Sequence, residues 1–163
     1  MWSSDRRVFL WGAVAALGGC GFTPAYGPTG RAQALQGQIN LPTPQDRNQF
    51  LLNQRLEERL GHGGVGRFVL DLRLAIRENA LGTTADGQTT RYHLVGDADY
   101  ELKSIATETV LTSGSTTGFT AYSATGTTVA TLAAERDAYE RLMILLADQI
   151  VDRLLLAAAD LPS

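Results

Sequence analysis

The chain has 163 residues, of which 44% are hydrophobic and 19% are charged, a balance typical of a globular protein with one core rather than of a disordered chain or a membrane channel. With 14 basic and 17 acidic residues, and Lys103 as the only lysine, it lacks the cationic clusters that nucleic acid requires, so we expect no nucleic-acid partner. A single cysteine excludes an internal disulfide and any cysteine-based zinc or iron–sulfur site.

The first twenty residues have the layout of a bacterial secretory signal. Arg6 and Arg7 provide a positive start, and the ten residues Val8 to Leu17 are apolar or small, a run too short to span a bilayer. The segment Leu17-Gly18-Gly19-Cys20 resembles the lipobox of bacterial lipoproteins. This resemblance implies that residues 1–19 are a signal peptide, that cleavage occurs before Cys20, and that a diacylglycerol and an N-acyl chain are attached there. The alternative is an ordinary signal peptide that happens to contain a cysteine.

The residue after the cysteine bears on the destination of the protein. In bacterial lipoproteins an aspartate at that position commonly retains the protein in the inner membrane, and Gly21 therefore favours the outer membrane. Two or three acyl chains provide stable anchoring, because one chain alone binds a membrane only marginally. The export route stays open, since Arg6-Arg7-Val8-Phe9-Leu10 resembles a twin-arginine signal but an accidental arginine pair is an equal explanation.

The predicted mature chain begins with an extended tether and a first strand. Residues 20–30 contain Pro24, Pro28 and three glycines, so we expect a lipidated tether there and one domain over residues 31–160. Weak alternation predicts a strand over Ala32 to Leu41, which Pro42 ends.

A helix is predicted next. Thr43 is expected to cap it, with Pro44 in the first helical position and Asp46 as the capping-box acid. Its apolar residues recur at helical spacing before Gly61 ends it: Phe50, Leu51, Leu52, Leu56 and Leu60.

Three hairpin-linked strands follow. The first two have alternating apolar and polar residues, and the third is rich in threonine, serine and glycine. They are predicted over Phe68 to Ile76, Thr89 to Ser104 and Val110 to Tyr122, with a turn over Leu81 to Gln88 that has Asp86-Gly87 at its tip. Because one face is apolar and the other polar, we expect an antiparallel arrangement with helices on one side.

A long helix from Ala130 to Ala159 closes the chain. Its main apolar stripe consists of Tyr139, Leu142, Met143, Leu146, Ile150 and Leu154, and further apolar residues extend it: Ile144, Leu145, Val151, Leu155 and Leu156. Such a helix contacts more than one partner surface or is buried deeply on its own sheet. The element order β-α-β-β-β-α predicts an α+β two-layer sandwich: a four-stranded mixed sheet covered on one face by two helices, with the first strand parallel to its neighbour.

The residues that could carry catalysis do not form a pattern typical of an enzyme. His62 and His93 have no second ligand at metal spacing, and Ser113-Gly114-Ser115 is not a nucleophile elbow. The glycine-rich run Gly61 to Gly66 precedes a strand, so it offers no helix N-terminus to a phosphate. For the alternating acids, a solvated strand face is the preferred interpretation and a weak cation site the alternative: Asp97, Asp99 and Glu101.

Several segments resemble the LptE family of outer-membrane lipoproteins, which assemble lipopolysaccharide with the β-barrel LptD. Near the start the similar residues are Cys20-Gly21-Phe22, Pro24 and Tyr26-Gly27, and in the hairpin they are Asp86-Gly87-Gln88-Thr89 and Tyr92. In the last helix they are Leu132 to Ala138 and Ala147 to Ile150. The resemblance covers nearly all of the mature chain and depends on the whole set and its order.

The resemblance implies a non-enzymatic protein on the periplasmic face of the outer membrane. It would act as plug and folding partner of an LptD-like barrel and would contact lipopolysaccharide, with no cofactor apart from the acyl chains on Cys20. Ten threonines between Thr107 and Thr131 suit a polar plug surface, and the alternative is a solvent-exposed edge strand. The rival functions are a generic lipid-anchored adaptor or ligand-binding domain with another partner and, more remotely, an anchored hydrolase.

The residue that family members use for lipopolysaccharide does not carry over to this sequence. Those members place a basic residue just before the hairpin tip, where this chain has Ala85. Arg77 and Arg91 are the nearby candidates to replace it, and their alternative role is to solubilise the outer face of the sheet.

Overall fold

The strands and helices follow the predicted order in the computed structural model, which describes residues 35–83 and 89–158. Within these ranges the elements are β1 (Ile39–Asn40), α1 (Arg47–Leu60), β2 (Phe68–Thr83), β3 (Thr89–Ser104), β4 (Val110–Ser123) and α2 (Thr128–Ala157). The strands lie in the sheet in the order β1-β2-β3-β4. β1 is parallel to β2, and the other pairs are antiparallel. The predicted α+β fold, a mixed four-stranded sheet with two helices, is confirmed.

The first strand is much shorter than predicted. Only Ile39 and Asn40 pair with β2, while residues 35–38 form a turn in which Gln38 N–H donates to the carbonyl of Leu35. Gly37 has a φ of +69°, a left-handed conformation that interrupts an extended run. Residues 32–34 of the predicted strand lie outside the described ranges.

The start of α1 differs from the prediction by three residues. Asp46, not Thr43, is the N-cap, because its Oδ1 accepts a hydrogen bond of 2.8 Å from Gln49 N–H. The side chain of Gln49 reaches back to accept from Gln45 N–H at 2.8 Å. Pro44 therefore precedes the helix instead of opening it, whereas the predicted end at Gly61 is confirmed by a φ of +81°.

The two long central strands form a continuous antiparallel ladder. β3 has the predicted bounds, and β4 ends one residue later than predicted. β2 continues seven residues beyond Ile76, so the segment Leu81 to Thr83, predicted as turn, belongs to the ladder through the pairs Leu81 with Arg91 and Thr83 with Thr89. The predicted tip at Asp86-Gly87 lies outside the described residues.

The core lies between the sheet and the two helices. Even-numbered strand residues face it, including Leu70, Leu94 and Leu102, each fully buried. From the helices the buried side chains are Leu52, Leu56, Leu60, Leu142, Met143, Leu146, Ile150, Val151 and Leu154. Phe50 was wrongly placed in the apolar stripe of α1, because 55% of its surface is exposed.

Helix α2 starts two residues earlier than predicted, with Thr127 as its N-cap. It packs on the sheet with one face and on α1 with another, in agreement with an apolar surface wider than one stripe. The outer part of that surface is not buried: Ile144 and Leu145 are 38% exposed and Leu156 is 78% exposed. In the described part of the chain, no helix has both the length and the apolar character that a membrane crossing requires.

Two arginines on α1 and two aspartates on α2 form an ionic network between the helices. Arg55 contacts Asp148 through two hydrogen bonds of 3.0 and 3.1 Å. Arg59 donates to Asp148 at 2.8 Å and to Asp152 at 3.3 Å. Two guanidinium groups on one carboxylate fix the position of α1 along α2.

Candidate interaction surface

The sheet face opposite the helices is a regular surface that neither helix covers. We call it the outer face, and it consists of the odd-numbered residues 69–81, 91–103 and 113–123. Asp71 and Glu101 lie directly opposite each other on it, a repulsive cross-strand pair. Lys103 lies between them, with Nζ 2.6 Å from Asp71 and 3.1 Å from Glu101. The hydrogen bond to Asp71 and, to a smaller extent, the one to Glu101 raise the pKa of Lys103. The positive charge of Lys103 offsets the repulsion between the two acids.

A second charged group on the outer face crosses three strands. Arg77 on β2 lies 2.7 Å from Asp97 on β3, and Thr117 on β4 donates to the other oxygen of Asp97 at 2.8 Å. Two of the three alternating acids, Asp97 and Glu101, thus have cationic partners, an arrangement typical of a solvated face. No group of His, Cys, Asp or Glu suited to a metal ion occurs in residues 35–83 and 89–158.

The threonine-rich strand is only partly a polar surface. Hydroxyls on its outer side are exposed, at Ser113, Ser115, Thr117 and Ser123. Thr116 instead faces the core and is 1% exposed, and Thr120 donates to the carbonyl of Ala138 at 2.9 Å. β4 is nevertheless the edge strand that the alternative interpretation required, so both interpretations remain compatible with the observed strand.

The two arginines predicted to contact lipopolysaccharide lie on the outer face but not together. Arg77 is held by Asp97, whereas Arg91 lies opposite Leu81 and Ser123 near the end of the β2–β3 ladder. Along β3, Arg91 is four residues from Val95, which lies directly opposite Arg77, a distance of about 13 Å. Arg91 lines an open cavity of about 490 Å³ with Leu81, Gly82, Thr90, Ser123 and Thr125.

The predicted acylation site lies outside the described residues, together with the rest of the lipobox: Leu17, Gly18, Gly19 and Cys20. The histidines are placed without catalytic partners. His62 lies 3.2 Å from Glu57 at the end of α1, and His93 packs edge-on against Phe119 with ring centres 5.2 Å apart.

A tyrosine cluster at one end of the core was not predicted from the sequence. Tyr122 donates a hydrogen bond to Glu78 and stacks on Tyr92 with ring centres 5.1 Å apart. Burial, followed by the contact with Glu78, raises the pKa of Tyr122. Alternation placed Tyr92 on the apolar face, but Tyr122 was assigned to no face and Glu78 lay beyond the predicted end of its strand at Ile76. The pairing of Tyr92 with Tyr122 could have been found only from the strand register.

Comparison with known proteins identifies the family. The sequence profile described as LptE, lipopolysaccharide-assembly, matches residues 36–154, which include all four strands and most of both helices. The chain belongs to the LptE family. LptE proteins are non-enzymatic lipopolysaccharide-assembly lipoproteins without a cofactor. No curated protein matches the chain.

Solved structures of bacterial lipoproteins share the fold of this LptE-family chain. A putative lipoprotein from Caulobacter crescentus aligns with a TM-score of 0.65 and 22% identity, over 80% of this chain and 98% of its own. The rare lipoprotein B from Shewanella oneidensis aligns with a TM-score of 0.56 and 14% identity, over 76% and 96%. A minor lipoprotein from Acinetobacter baumannii aligns with a TM-score of 0.54 and 18% identity, over 76% of this chain and 91% of its own. At these identities the likeness concerns the fold alone.

Proposed function

We propose that this LptE-family chain is anchored in the periplasmic leaflet of the outer membrane and acts as plug and folding partner of an LptD-like β-barrel. In this proposal residues 1–19 are removed, Cys20 is acylated, residues 20–30 form the tether, and the domain of residues 31–160 enters the barrel. Family membership supports the role in lipopolysaccharide assembly. The lipobox-like segment and Gly21 support the anchor and its membrane.

The observation that supports the plug role best is the composition of the outer face. The lumen of a barrel is polar, so a plug needs a polar surface. Charges that enter a confined space lose part of their hydration, and this costs less when they are already paired. On the outer face Lys103 is paired with two acids and Asp97 is held by Arg77 and Thr117. The exposed hydroxyls of β4 add neutral hydrogen-bonding groups.

Affinity capture tests the partnership directly. We expect the full-length chain, captured from detergent extracts of envelope membranes, to retain a large β-barrel protein in near-equal amount. An unrelated outer-membrane lipoprotein with the same affinity tag is the control for shared membrane fragments. Recovery of only soluble or inner-membrane partners would contradict the proposal and favour a generic lipid-anchored adaptor.

Depletion of the chain tests the folding role. We expect the barrel to lose its heat-modifiable, fully folded form and to fall several-fold in abundance, because a plug that shares the barrel's interior stabilises only the folded state. Folded fractions of an unrelated barrel, measured in the same cells, serve as the control. Normal maturation of the barrel after depletion would exclude the folding role.

We also propose that Arg91, more than Arg77, contacts the phosphates of lipopolysaccharide. Arg91 borders an open cavity, whereas the guanidinium of Arg77 already binds Asp97. Arg91→Ala is expected to weaken binding of purified lipopolysaccharide to the isolated chain several-fold, and Arg77→Ala to weaken it less. The measurement is co-precipitation at low and moderate salt, since phosphate contacts weaken as salt rises. Equal binding by wild-type and Arg91→Ala would refute this contact.

A further inference from the structure

Strand β4 forms an edge of the sheet, and the direction of its backbone groups can be assigned. Ala124 N–H donates to the carbonyl of Thr90 at 2.9 Å, next to the register pair of Arg91 with Ser123. Because antiparallel strands alternate, the even-numbered residues of β4 bond to β3. The odd-numbered residues therefore direct both N–H and C=O to the free side of the strand.

Two arginines from α2 already use this free side. Arg141 donates to the carbonyl of Ala121 at 3.3 Å, and Arg153 donates to the carbonyl of Ser115. Both acceptors are odd-numbered, in agreement with the assigned direction. Between them lie Thr117 and Phe119, whose outward backbone groups have no hydrogen-bond partner within residues 35–83 and 89–158.

The edge also lacks the features that usually protect an edge strand. Residues 110–123 contain no charged residue and no proline, and the strand is 14 residues long. Native edges are normally short, charged, interrupted by proline or bulged away. The register shift of this pair lies at Leu102 and Lys103, near the start of β4, so the stretch around Thr117 is regular. A regular unpaired edge is a template for an added strand.

Side chains beside the edge indicate which segment would fit. Phe119 is 68% exposed and packs against the ring of His93, which offers an apolar contact on the outer face. The guanidinium groups of Arg141 and Arg153 lie at the two ends of the open stretch, about 20 Å apart along the strand, and Arg141 is already paired with Asp137 on α2. The complementary partner is an extended segment with an apolar side chain near its centre and an acidic residue near the Arg153 end.

We propose that the free side of β4, centred on Thr117 and Phe119, pairs with an extended segment of the β-barrel partner, which adds a fifth strand to the sheet. This inference rests on the proposed function, since it names the surface by which the chain engages that barrel. Strand addition supplies main-chain hydrogen bonds over a short segment, and side chains beside it supply specificity.

Two variants test the edge in the full-length, membrane-anchored chain. Thr117→Pro removes one outward N–H but no backbone hydrogen bond to β3; it also removes the hydroxyl that donates to Asp97. Phe119→Lys leaves that hydroxyl in place and puts a charge beside the edge. Each is expected to lower barrel recovery at least 10-fold. Val129→Lys is the matched control, because it also replaces an exposed apolar residue with lysine, on α2 away from the edge. It is expected to recover the barrel as wild type does.

A crosslinking experiment keeps the inference testable if a variant fails to fold. A photo-reactive phenylalanine analogue at Phe119 in an otherwise unchanged chain is expected to crosslink to the barrel, and the same group at Val129 is not. Three results would overturn strand addition while the proposed function stands. They are recovery of the barrel without a crosslink from Phe119, a crosslink from Phe119 to a second copy of the chain, and full recovery of the barrel with Phe119→Lys. Absence of the barrel with the wild-type chain would overturn both.

Discussion

Asp148 on α2 is the residue that binds two arginines of α1. Its carboxylate accepts hydrogen bonds from Arg55 and Arg59, and its side chain is 30% exposed. Burial by itself raises the pKa of a carboxyl, but the hydrogen bonds and attraction from Arg55 and Arg59 outweigh it and lower the pKa of Asp148 below 3.8. A carboxyl whose pKa is lower in the folded state stabilises the fold above its unfolded pKa and loses that contribution as pH falls through the folded value.

We expect Asp148→Asn to lower the free energy of unfolding by about 1 kcal/mol at pH 7, because it removes a carboxylate shared by two guanidinium groups. The difference between variant and wild type is expected to shrink as pH falls below 3.8, where the wild-type carboxyl gains a proton. Urea unfolding of the chain without residues 1–20, at pH 7 and at acidic pH, measures both effects.

Glu58→Gln is the matched control for the network. Glu58 is ion-paired with Arg55 and accepts a hydrogen bond from Gln54, both on the same helix, and its side chain is 51% exposed. Its replacement is therefore expected to change stability by a few tenths of a kcal/mol at most. A loss for Asp148→Asn no greater than that for Glu58→Gln would show that the network does not hold the helices together.

Single residues show what local sequence reasoning can reach. The C-cap Gly61 was predicted, because a glycine after an apolar stripe ends helices for a local reason. The N-cap was not, since Thr43 and Asp46 both have capping side chains and Pro44 favoured the earlier start. The contact of Arg55 with Asp148 joins residues 93 positions apart, and no spacing rule within one helix predicts it.

At the scale of elements, the packing of α2 on the sheet depends on a pair of glycines. Gly96 on β3 and Gly118 on β4 lie opposite each other on the core face. A Cβ atom at Gly96 would lie 3.0 Å from Leu146 and 3.1 Å from Leu142, which are both fully buried. At Gly118 it would lie 2.9 Å from a methyl group of Leu145, which is 38% exposed. The glycines thus allow the helix to approach the strands closely.

Gly96→Val is expected to destabilise the domain by about 1–3 kcal/mol, because the buried leucines above it have no space to move. Gly118→Val is expected to cost clearly less, since Leu145 can turn toward solvent. Thermal and urea unfolding of both variants give the comparison. Wild-type stability of Gly96→Val, or a larger loss for Gly118→Val, would contradict the close packing inferred here.

The elements themselves were predicted to different degrees for physical reasons. A long strand with alternating apolar and polar residues can be recognised from its own sequence, and β3 was predicted with its observed bounds. β2 was predicted too short because its last residues lose the apolar alternation and are held in the ladder by β3 instead. β1 was predicted too long, because two residues of parallel pairing leave almost no pattern in the sequence. The position of β4 at the edge, and hence its unpaired backbone, follows from the sheet order alone.

On the scale of the whole molecule, the described chain enters the sheet at the end opposite the Thr83–Thr89 end of the β2–β3 ladder. Since β1 runs parallel to β2, the chain before Ile39 enters at the end of the sheet where Phe68 lies. Thr83 and Thr89 end the ladder on the far side, about 50 Å away for strands of 16 residues. Residues 20–35 reach at most about 50 Å further. An acylated Cys20 would therefore connect the Phe68 end of the sheet to the membrane through a tether of at most about 50 Å, with the Arg91 end farthest from the point of attachment.

The anchor gives the prediction on which this orientation depends. With Cys20→Ser we expect no acylation, because the thiol that receives the diacylglycerol is gone, and any chain that stays in the membrane fraction should do so through the barrel alone. Gly21→Asp is the matched variant: it keeps the cysteine and should shift the acylated protein toward the inner membrane. Mass spectrometry of the N-terminus and membrane fractionation measure both. An uncut or unmodified wild-type N-terminus would remove the basis for connecting the Phe68 end to the bilayer.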